Sequence, residues 1–356
     1  MIERRPLLQT MVHGTALAVL AGWVLHVGRD VFVPVAYSAV LAYIVLGMAR
    51  QARRIPVVGP HLSPGLRYAL AAVVILGAVW VVALLVLASV AEIMADAPRY
   101  ERAVFGTIQR VAAWLGIETE PTWRQLRQML YERVGVARLL GMMGGAMFHL
   151  LAILAVVVLY AVFLLAEKRV FDRKIDRLHR DPKRAVRVRT VIHAVNDRIG
   201  NYLALKTLLS AGIGTVTWAA MAWGGFSFAP VAGLVAGLLN YIPYAGSVLG
   251  VAVPAGLALV GGADLAAIAW LCAGLSLVQF LNGHLLDPWL MGNSLNLSPF
   301  VILFSLAAWS ALWGIPGALL AVPFAAIMLI VFREFEGTRA LAVLLSRDGR
   351  VEEDAS

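Results

Sequence analysis

The chain alternates long apolar runs with short polar loops, and its longest apolar run is almost free of charge. Between Thr207 and Phe332 the only formally charged side chains are those of Asp264 and Asp287. A water-soluble domain of this length needs charged faces, whereas a bilayer makes apolar faces the exposed ones. The pattern therefore predicts an all-α polytopic membrane protein with a membrane-embedded core.

A helix needs about 20 apolar residues to cross the hydrocarbon core, and by this measure the chain has about eight membrane elements. Composition agrees, since 61% of the residues are hydrophobic and only 14% are charged. The predicted elements run from Leu7 to Val27, Val31 to Ala49, Leu66 to Ala91, Met147 to Ala166, Thr207 to Trp223, Ala229 to Val260, Leu265 to Leu286 and Leu297 to Val331.

Two of these elements, Ala229 to Val260 and Leu297 to Val331, are too long for one comfortable span and contain internal breaks. Each follows a plainer helix, so a helix-plus-broken-helix unit occurs twice. Paired Gly/Pro-interrupted segments are typical of transporter binding sites at the membrane midplane. They predict two broken helices or re-entrant helical hairpins, the alternative being kinked spanning helices. The breaks contain Asn240, Pro243 and Gly246 in the first segment and Gly314, Pro316 and Gly317 in the second.

The Lys and Arg residues of the short loops indicate the cytoplasmic side of the membrane. If the first four predicted spans each cross the membrane, the basic residues before and between them fall on one side. These are Arg4 and Arg5, the cluster at 50–54 and the basic residues of 168–198. The N-terminus is interpreted as a retained first helix, and both termini are expected in the cytoplasm. The predicted organisation is transmembrane helices in 1–91, an extracytoplasmic amphipathic helical segment in 92–146, a fourth transmembrane helix in 147–166, a cytoplasmic helical hairpin in 167–200, a transport core in 201–332 and a cytoplasmic tail in 333–356.

Charge and candidate chemistry narrow the function classes. The net charge of +9 comes from basic residues beside the spans, which indicates lipid headgroup contact rather than a nucleic-acid partner. Cys272 is the single cysteine, and the histidines are too scattered for a metal pair, so no cofactor or metal is expected. The sequence contains neither a nucleotide-binding loop nor a nucleophile elbow. A non-enzymatic role is predicted, with an intramembrane hydrolase as the alternative.

Polar side chains cluster near the two breaks, where free backbone groups need water, protein or substrate as partners. Asp287 is interpreted as a pathway or coupling residue, or else as a solvated helix end. Asp264 is either a coupling residue or a helix cap, and Lys206 either snorkels to the interface or serves as a counter-ion. The predicted pathway residues are Asn240, Tyr241, Pro243, Tyr244, Gly246, Gln279, Asn282, Asp287, Pro288, Gly292, Gly314 and Pro316.

Two long motifs carry a resemblance to a known family. Residues Gly237 to Gly246, GLLNYIPYAG, resemble the LLNFIPYxGP signature of the autoinducer-2 exporter family. Residues Asp287 to Pro299, followed by Trp309 to Pro323, resemble that family's second signature. A shorter stretch at Tyr202 to Thr207 is similar to a third one found in part of the family. The resemblance extends over about residues 1–340.

The resemblance implies a bacterial inner-membrane protein that moves a small molecule or a cation. It also implies a homo-oligomer, with a pentamer as one option, and an elevator-like movement of the broken-helix half against the first half. The chain departs from the family pattern at three positions. Asn282 stands where an acidic residue is frequent, Asp287 where Gln is common before the proline, and Ser247 where Pro is usual.

The first functional hypothesis is a secondary transporter that exports a small polar solute, such as an autoinducer-2-like signal, by alternating access. A sodium or lithium/proton antiporter is the second, and it needs a carboxylate such as Asp287 or Asp264. A non-transporting membrane scaffold that binds partners through its outer segment or its cytoplasmic hairpin is the third.

Overall fold

The structure is a computed structural model that describes residues 4–53, 62–95, 106, 151–167, 170, 174, 182–291 and 295–349. In these residues the regular secondary structure is helical, apart from one isolated antiparallel bridge between Leu297 and Ser346. Five helices in this part of the chain are long and apolar enough to cross a membrane. The prediction of an all-α polytopic membrane protein is confirmed.

The first four helices that the structure describes are α1 (Arg4–Val27), α2 (Arg29–Arg53), α3 (Pro64–Ala95) and α4 (Leu151–Glu167). The first three contain the predicted spans in full, and α4 covers most of the fourth. The predicted amphipathic segment at 92–146 lies outside the described residues, apart from the end of α3 and residue 106. The same holds for most of the first arm of the predicted cytoplasmic hairpin.

The fifth helix, α5 (Pro182–Trp223), is a single helix of 42 residues. At 1.5 Å per residue it is about 63 Å long, roughly twice the thickness of the hydrocarbon core. Pro182 stands at its start, where a proline has no helical hydrogen bond to lose. The predicted element from Thr207 to Trp223 is therefore the apolar end of a longer helix, whose basic first half extends beyond the hydrocarbon region.

Both broken segments are helical hairpins, which confirms the prediction of two interrupted elements. The first consists of α6 (Ala229–Leu239) and α7 (Ala245–Val260), and the second of α10 (Pro299–Trp313) and α11 (Ile315–Glu334). In each pair the second helix packs back along the first. With 11 residues, α6 is about 16 Å long and cannot cross a hydrocarbon core of about 30 Å. The chain therefore turns back after a helix shorter than a membrane span.

The helix between the two hairpins is less regular than the sequence predicts. It runs as α8 (Leu265–Leu281), passes through a π-helical turn at Asn282–Leu286 and ends as α9 (Asp287–Met291). The Asp287 amide donates to the Asn282 carbonyl oxygen, five residues back instead of four. Such turns inside helices occur frequently at functional sites. After α11, a short turn leads to α12 (Arg339–Leu345).

Two compact units make up the chain. The first comprises Met1–Ile44, Val156–Gly200 and Leu295–Ser356, and the second comprises Val45–Ala155 and Asn201–Ser294. The hairpin α6–α7 belongs to the second unit, together with α8, α9 and the apolar end of α5. The hairpin α10–α11 belongs to the first unit, together with α1.

Small residues let the helices of the second unit approach closely. Its core contains Met221, Ala232, Ala258 and Leu275, which come from α5, α6, α7 and α8. Close packing of small side chains replaces the hydrophobic driving force that helices lack inside a bilayer.

One close approach is between α5 and α6, where Gly214 faces Gly233. A Cβ atom on Gly233 would lie 2.6 Å from the Gly214 carbonyl oxygen, and one on Gly237 would lie 2.9 Å from the Ser210 carbonyl oxygen. These neighbours are backbone atoms, which cannot rotate away. The contact holds the C-terminal end of α6 against Ser210.

Gly233→Ala is expected to destabilise the protein by about 1–2 kcal/mol, because the added methyl group pushes α6 away from α5 and outweighs the gain in helix propensity. Thermal unfolding of the purified protein in detergent measures the change. Gly212→Ala is the matched control, since a Cβ atom there meets nothing within 4 Å. Equal unfolding midpoints for the two variants would contradict the close packing.

Candidate functional site

The turn of the first hairpin, residues 240–244, is short and strained. Its backbone is partly satisfied internally, since the Ile242 amide donates to the Leu239 carbonyl oxygen and the Gly246 amide to the Ile242 carbonyl oxygen, both at 2.9 Å. Tyr244 has a φ of 61° and a ψ of −56°, which is rare for a residue with a side chain. Backbone strain of this kind concentrates at functional sites.

Asn240 connects three helices of the second unit. Its side chain is 5% exposed. The Asn240 Nδ2 atom donates to Ser210 Oγ on α5 at 3.1 Å, and the Asn240 Oδ1 atom accepts from Asn282 Nδ2 at 3.0 Å. Ser210, Asn240 and Asn282 therefore form a directional chain of hydrogen bonds, which we name the amide chain. Three buried polar side chains in an apolar setting are costly unless they bond to one another or to a ligand.

The end of α8 contributes two further buried acceptors. Gln279 is 6% and Asn282 is 2% exposed. Gln279 Oε1 and Asn282 Oδ1 each accept no hydrogen bond from any residue that the structure describes. A buried acceptor without a donor costs about 1–3 kcal/mol.

An ion pair lies next to the amide chain. Lys206 Nζ is 3.1 Å from Asp287 Oδ2 and 3.3 Å from Asp287 Oδ1. The Lys206 side chain is 9% exposed and that of Asp287 is 28% exposed. This contact joins α5 to α9, across 81 residues of sequence. Both charged residues thus have a partner, and neither is an isolated charge in the apolar region.

Tyr241 is held by the same face of α5. The Thr207 hydroxyl donates to the Leu203 carbonyl oxygen at 2.6 Å, so the Tyr241 hydroxyl is the donor in its 2.7 Å contact with Thr207 Oγ1. The amide chain, the ion pair and Tyr241 together give α5 a polar face near the start of its apolar half. We name these residues the polar cluster: Lys206, Thr207, Ser210, Asn240, Tyr241, Gln279, Asn282 and Asp287.

Sequence reasoning did not single out Thr207 and Ser210. The available signal was the spacing of Lys206 and Ser210, which lie one helical turn apart and therefore on the same face of α5. From the sequence alone, Lys206 either snorkels to the interface or serves as a counter-ion.

Other predicted residues lie elsewhere. Asp264 is the N-cap of α8, where its Oδ2 atom accepts from the Ala266 amide at 3.2 Å. Tyr244 and Pro288 are exposed, and Pro243 is part of the turn. Gly292 lies outside the described residues.

Gly314 and Pro316 belong to the second hairpin, in the first unit, and the N-terminal helices hold that turn. Trp313 Nε1 donates to the Leu25 carbonyl oxygen at 2.9 Å, and Tyr37 Oη donates to the Pro316 carbonyl oxygen at 3.2 Å. His26 Nδ1 lies 2.9 Å from the Leu312 carbonyl oxygen. The Leu312 carbonyl, in the last turn of α10, thus contacts the His26 ring, and the Pro316 carbonyl, in the first turn of α11, accepts from Tyr37.

Comparisons with known proteins place these features in a family context. The AI-2E family transporter profile matches residues 14–337. The chain is 35% identical to the AI-2 transport protein TqsA of Escherichia coli K12 over 211 residues, which cover 59% of either chain. It is 30% identical to YhhT of the same organism over 241 residues, or 67% of this chain and 66% of YhhT. Similarity to YrrI of Bacillus subtilis 168 reaches 32% over 141 residues, or 40% of this chain and 39% of YrrI.

Proposed function

The chain belongs to the AI-2E transporter family, and from this premise we propose that it exports a small polar solute across the bacterial inner membrane. The family and its bacterial relatives give the chain a role in membrane transport. The finer proposal is a neutral, hydroxyl-bearing solute, of the kind that an autoinducer-2-like signal represents. The match covers 59% of TqsA, which is named as an AI-2 transport protein.

The amide chain at the turn of a helical hairpin is the observation that carries the proposal. The side chains of Ser210, Asn240 and Asn282 are buried, at the end of a helix too short to cross the bilayer. Polar groups at membrane depth are expensive and mark substrate pathways. Broken helices provide such pathways because their unwound backbone lines a cavity.

The charges of the polar cluster favour a neutral solute. Lys206 and Asp287 neutralise each other, so the groups that remain to bind a solute are amide and hydroxyl dipoles. A dipolar site recognises a neutral solute by its hydrogen bonds.

Alternating access, with an elevator-like movement, is the mechanism that we propose for the transport cycle. A homo-oligomer, a pentamer being one option, with both termini in the cytoplasm completes the proposal. Membrane lipid surrounds the chain, and the solute is its small-molecule partner.

Asn240→Ala is expected to lower solute flux about tenfold or more, because it removes the residue that joins α5, α6 and α8 and leaves Asn282 Nδ2 without its acceptor. Flux is measured in vesicles reconstituted with the full chain, over a panel of polyols that includes autoinducer-2. His284→Ala is the matched control, because the exposed His284 ring stacks on Phe280 and has no contact with the amide chain. If the wild type moves no solute of the panel, the export proposal is wrong.

Sodium or lithium/proton antiport is the second candidate, and the Asp287 carboxylate of the ion pair is the group that it would use. A carboxylate that can exchange an ammonium partner for a metal cation or a proton meets the requirement of such a cycle. In the structure the Asp287 carboxylate is not isolated, because it is paired with Lys206. The variants that separate the two candidates change this pair.

A further inference from the structure

We propose that Gln279 and Asn282 form an acceptor subsite that binds two hydroxyl groups of a neutral polyol. The inference rests on the proposed function and assigns the chemistry by which the solute is recognised. Both residues lie on α8 or at its end, three positions apart, so their side chains share one face of the helix.

The two unpartnered atoms are both carbonyl-type oxygens. Gln279 Oε1 and Asn282 Oδ1 are buried and accept no hydrogen bond from the residues that the structure describes. A ligand that satisfies them must bring hydrogen-bond donors, since an amide oxygen can only accept. Hydroxyl hydrogens fit, whereas a carboxylate or a phosphate would meet these oxygens with its own lone pairs.

The orientation of the Asn282 amide is fixed by the amide chain. Asn282 Nδ2 donates to Asn240 Oδ1, and Asn240 Nδ2 in turn donates to Ser210 Oγ. Turning the Asn282 amide over by itself would bring its oxygen against Asn240 Oδ1, acceptor against acceptor. With Ser210 accepting from Asn240, as in the structure, the free position of Asn282 is an oxygen.

Gly250 on α7 positions the Gln279 amide. A Cβ atom on Gly250 would overlap Gln279 Nε2, so the absence of a side chain allows the amide to pack against α7. The Nε2 end of Gln279 thus faces α7. Gly250 acts as a positioning residue, because it has its effect through Gln279.

A polyol fits the subsite better than an alkali cation does. Lys206 and Asp287 neutralise each other, so the polar cluster carries no excess negative charge. A dehydrated cation in an apolar setting needs several oxygen ligands, as the carbonyl rings of channel filters show. Two neutral amide oxygens match two hydroxyl hydrogens, and burying a hydroxyl group costs far less than burying an ion.

The test measures binding to the full chain, purified in detergent, from the rise of its unfolding midpoint with ligand concentration. Xylitol, erythritol and glycerol are the probes, and 1,5-pentanediol is the control that lacks neighbouring hydroxyl groups. Gln279→Met and Asn282→Leu are each expected to raise the half-saturating polyol concentration about tenfold, the size of one lost hydrogen bond. His284→Ala, whose ring contacts Phe280 and not the subsite, is expected to stay within about threefold of the wild type.

Gly250→Ala supplies an independent test of the positioning role. It is expected to raise the half-saturating concentration by about tenfold, as Gln279→Met does, because the methyl group displaces the Gln279 amide. Gly256→Ala on the same helix is the matched control, since a Cβ atom there meets nothing within 4 Å. The unfolding midpoint without ligand is recorded for every variant, so that a loss of fold is not mistaken for a loss of binding.

Three results would overturn the inference: no polyol binds the wild type, all variants bind like the wild type, or sodium chloride produces the saturable shift that Gln279→Met removes. The failure of the inference is distinguishable from that of the proposed function. Polyol binding without flux of any solute in vesicles rejects export but keeps the subsite. Flux of another solute without polyol binding rejects the subsite but keeps export.

Discussion

Asp287→Asn is expected to destabilise the protein by about 2 kcal/mol, because the buried Lys206 ammonium then lacks its carboxylate partner. The value lies below the roughly 3–5 kcal/mol of a fully buried pair, since part of the Asp287 side chain is exposed and solvent screens its charge. Thermal unfolding of the purified protein in detergent measures the loss. The control is again His284→Ala, whose ring has no contact with the ion pair.

The double variant Lys206→Met with Asp287→Asn is expected to recover most of this stability, because it removes both charges together. The single variant Lys206→Met is expected to be as damaging as Asp287→Asn. Additive losses in the double variant would contradict the ion pair.

The folded double variant also separates the two candidate functions. If the chain exports a neutral solute, the flux of that solute in reconstituted vesicles is retained within about tenfold, since the removed pair carries no net charge. If the chain is an antiporter, the response of a pH-sensitive dye to sodium or lithium disappears, because no titratable carboxylate remains at this position. A sodium response that survives in the double variant would exclude Asp287 as the coupling residue.

Gly246→Ala is the second change with a large expected effect, of about 3 kcal/mol, at the upper end of overpacking. A Cβ atom on Gly246 would overlap the Leu239 carbonyl oxygen, at the point where α7 begins to run back along α6. Backbone atoms lie on both sides of this contact, so the hairpin has to open to admit a methyl group. The yield of monodisperse protein and its unfolding midpoint are the measurements.

Gly317 has the corresponding position in the second hairpin, where a Cβ atom would overlap the Trp309 carbonyl oxygen. Gly317→Ala is therefore expected to be similarly damaging, although it lies in the other unit. Gly256→Ala on α7 is the control for both, because its Cβ atom would be free of contacts. Normal yield and midpoint for Gly246→Ala would show that the hairpin turn is looser than the structure has it.

Much of the fold could be predicted from the sequence because a bilayer imposes simple rules. Apolar runs of sufficient length gave the spans, and the clusters around Asn240 and Gly314 gave the two breaks. These rules depend on the local composition of the chain and do not depend on contacts between residues far apart in sequence. They did not predict that α5 begins as early as Pro182 and includes a polar first half. They also did not predict the π-helical turn that begins at Asn282. Neither feature has a composition signal.

The candidate site was predictable only in part. Asn240, Gln279, Asn282 and Asp287 were marked by polarity within an apolar run. Ser210 was not marked, because one hydroxyl in a helix is ordinary.

The sequence by itself determined the class of protein, the membrane elements and the two interruptions, because hydrophobicity and the Gly/Pro positions are local properties. Only the tertiary structure decided which polar residues meet. It joined Lys206 to Asp287 across 81 residues and linked Asn240 to Ser210 and Asn282. It placed the second break in the other unit, with α1. Hydrogen bonds and ion pairs depend on distances of about 3 Å between atoms far apart in the chain, and only the packing of the helices sets those distances.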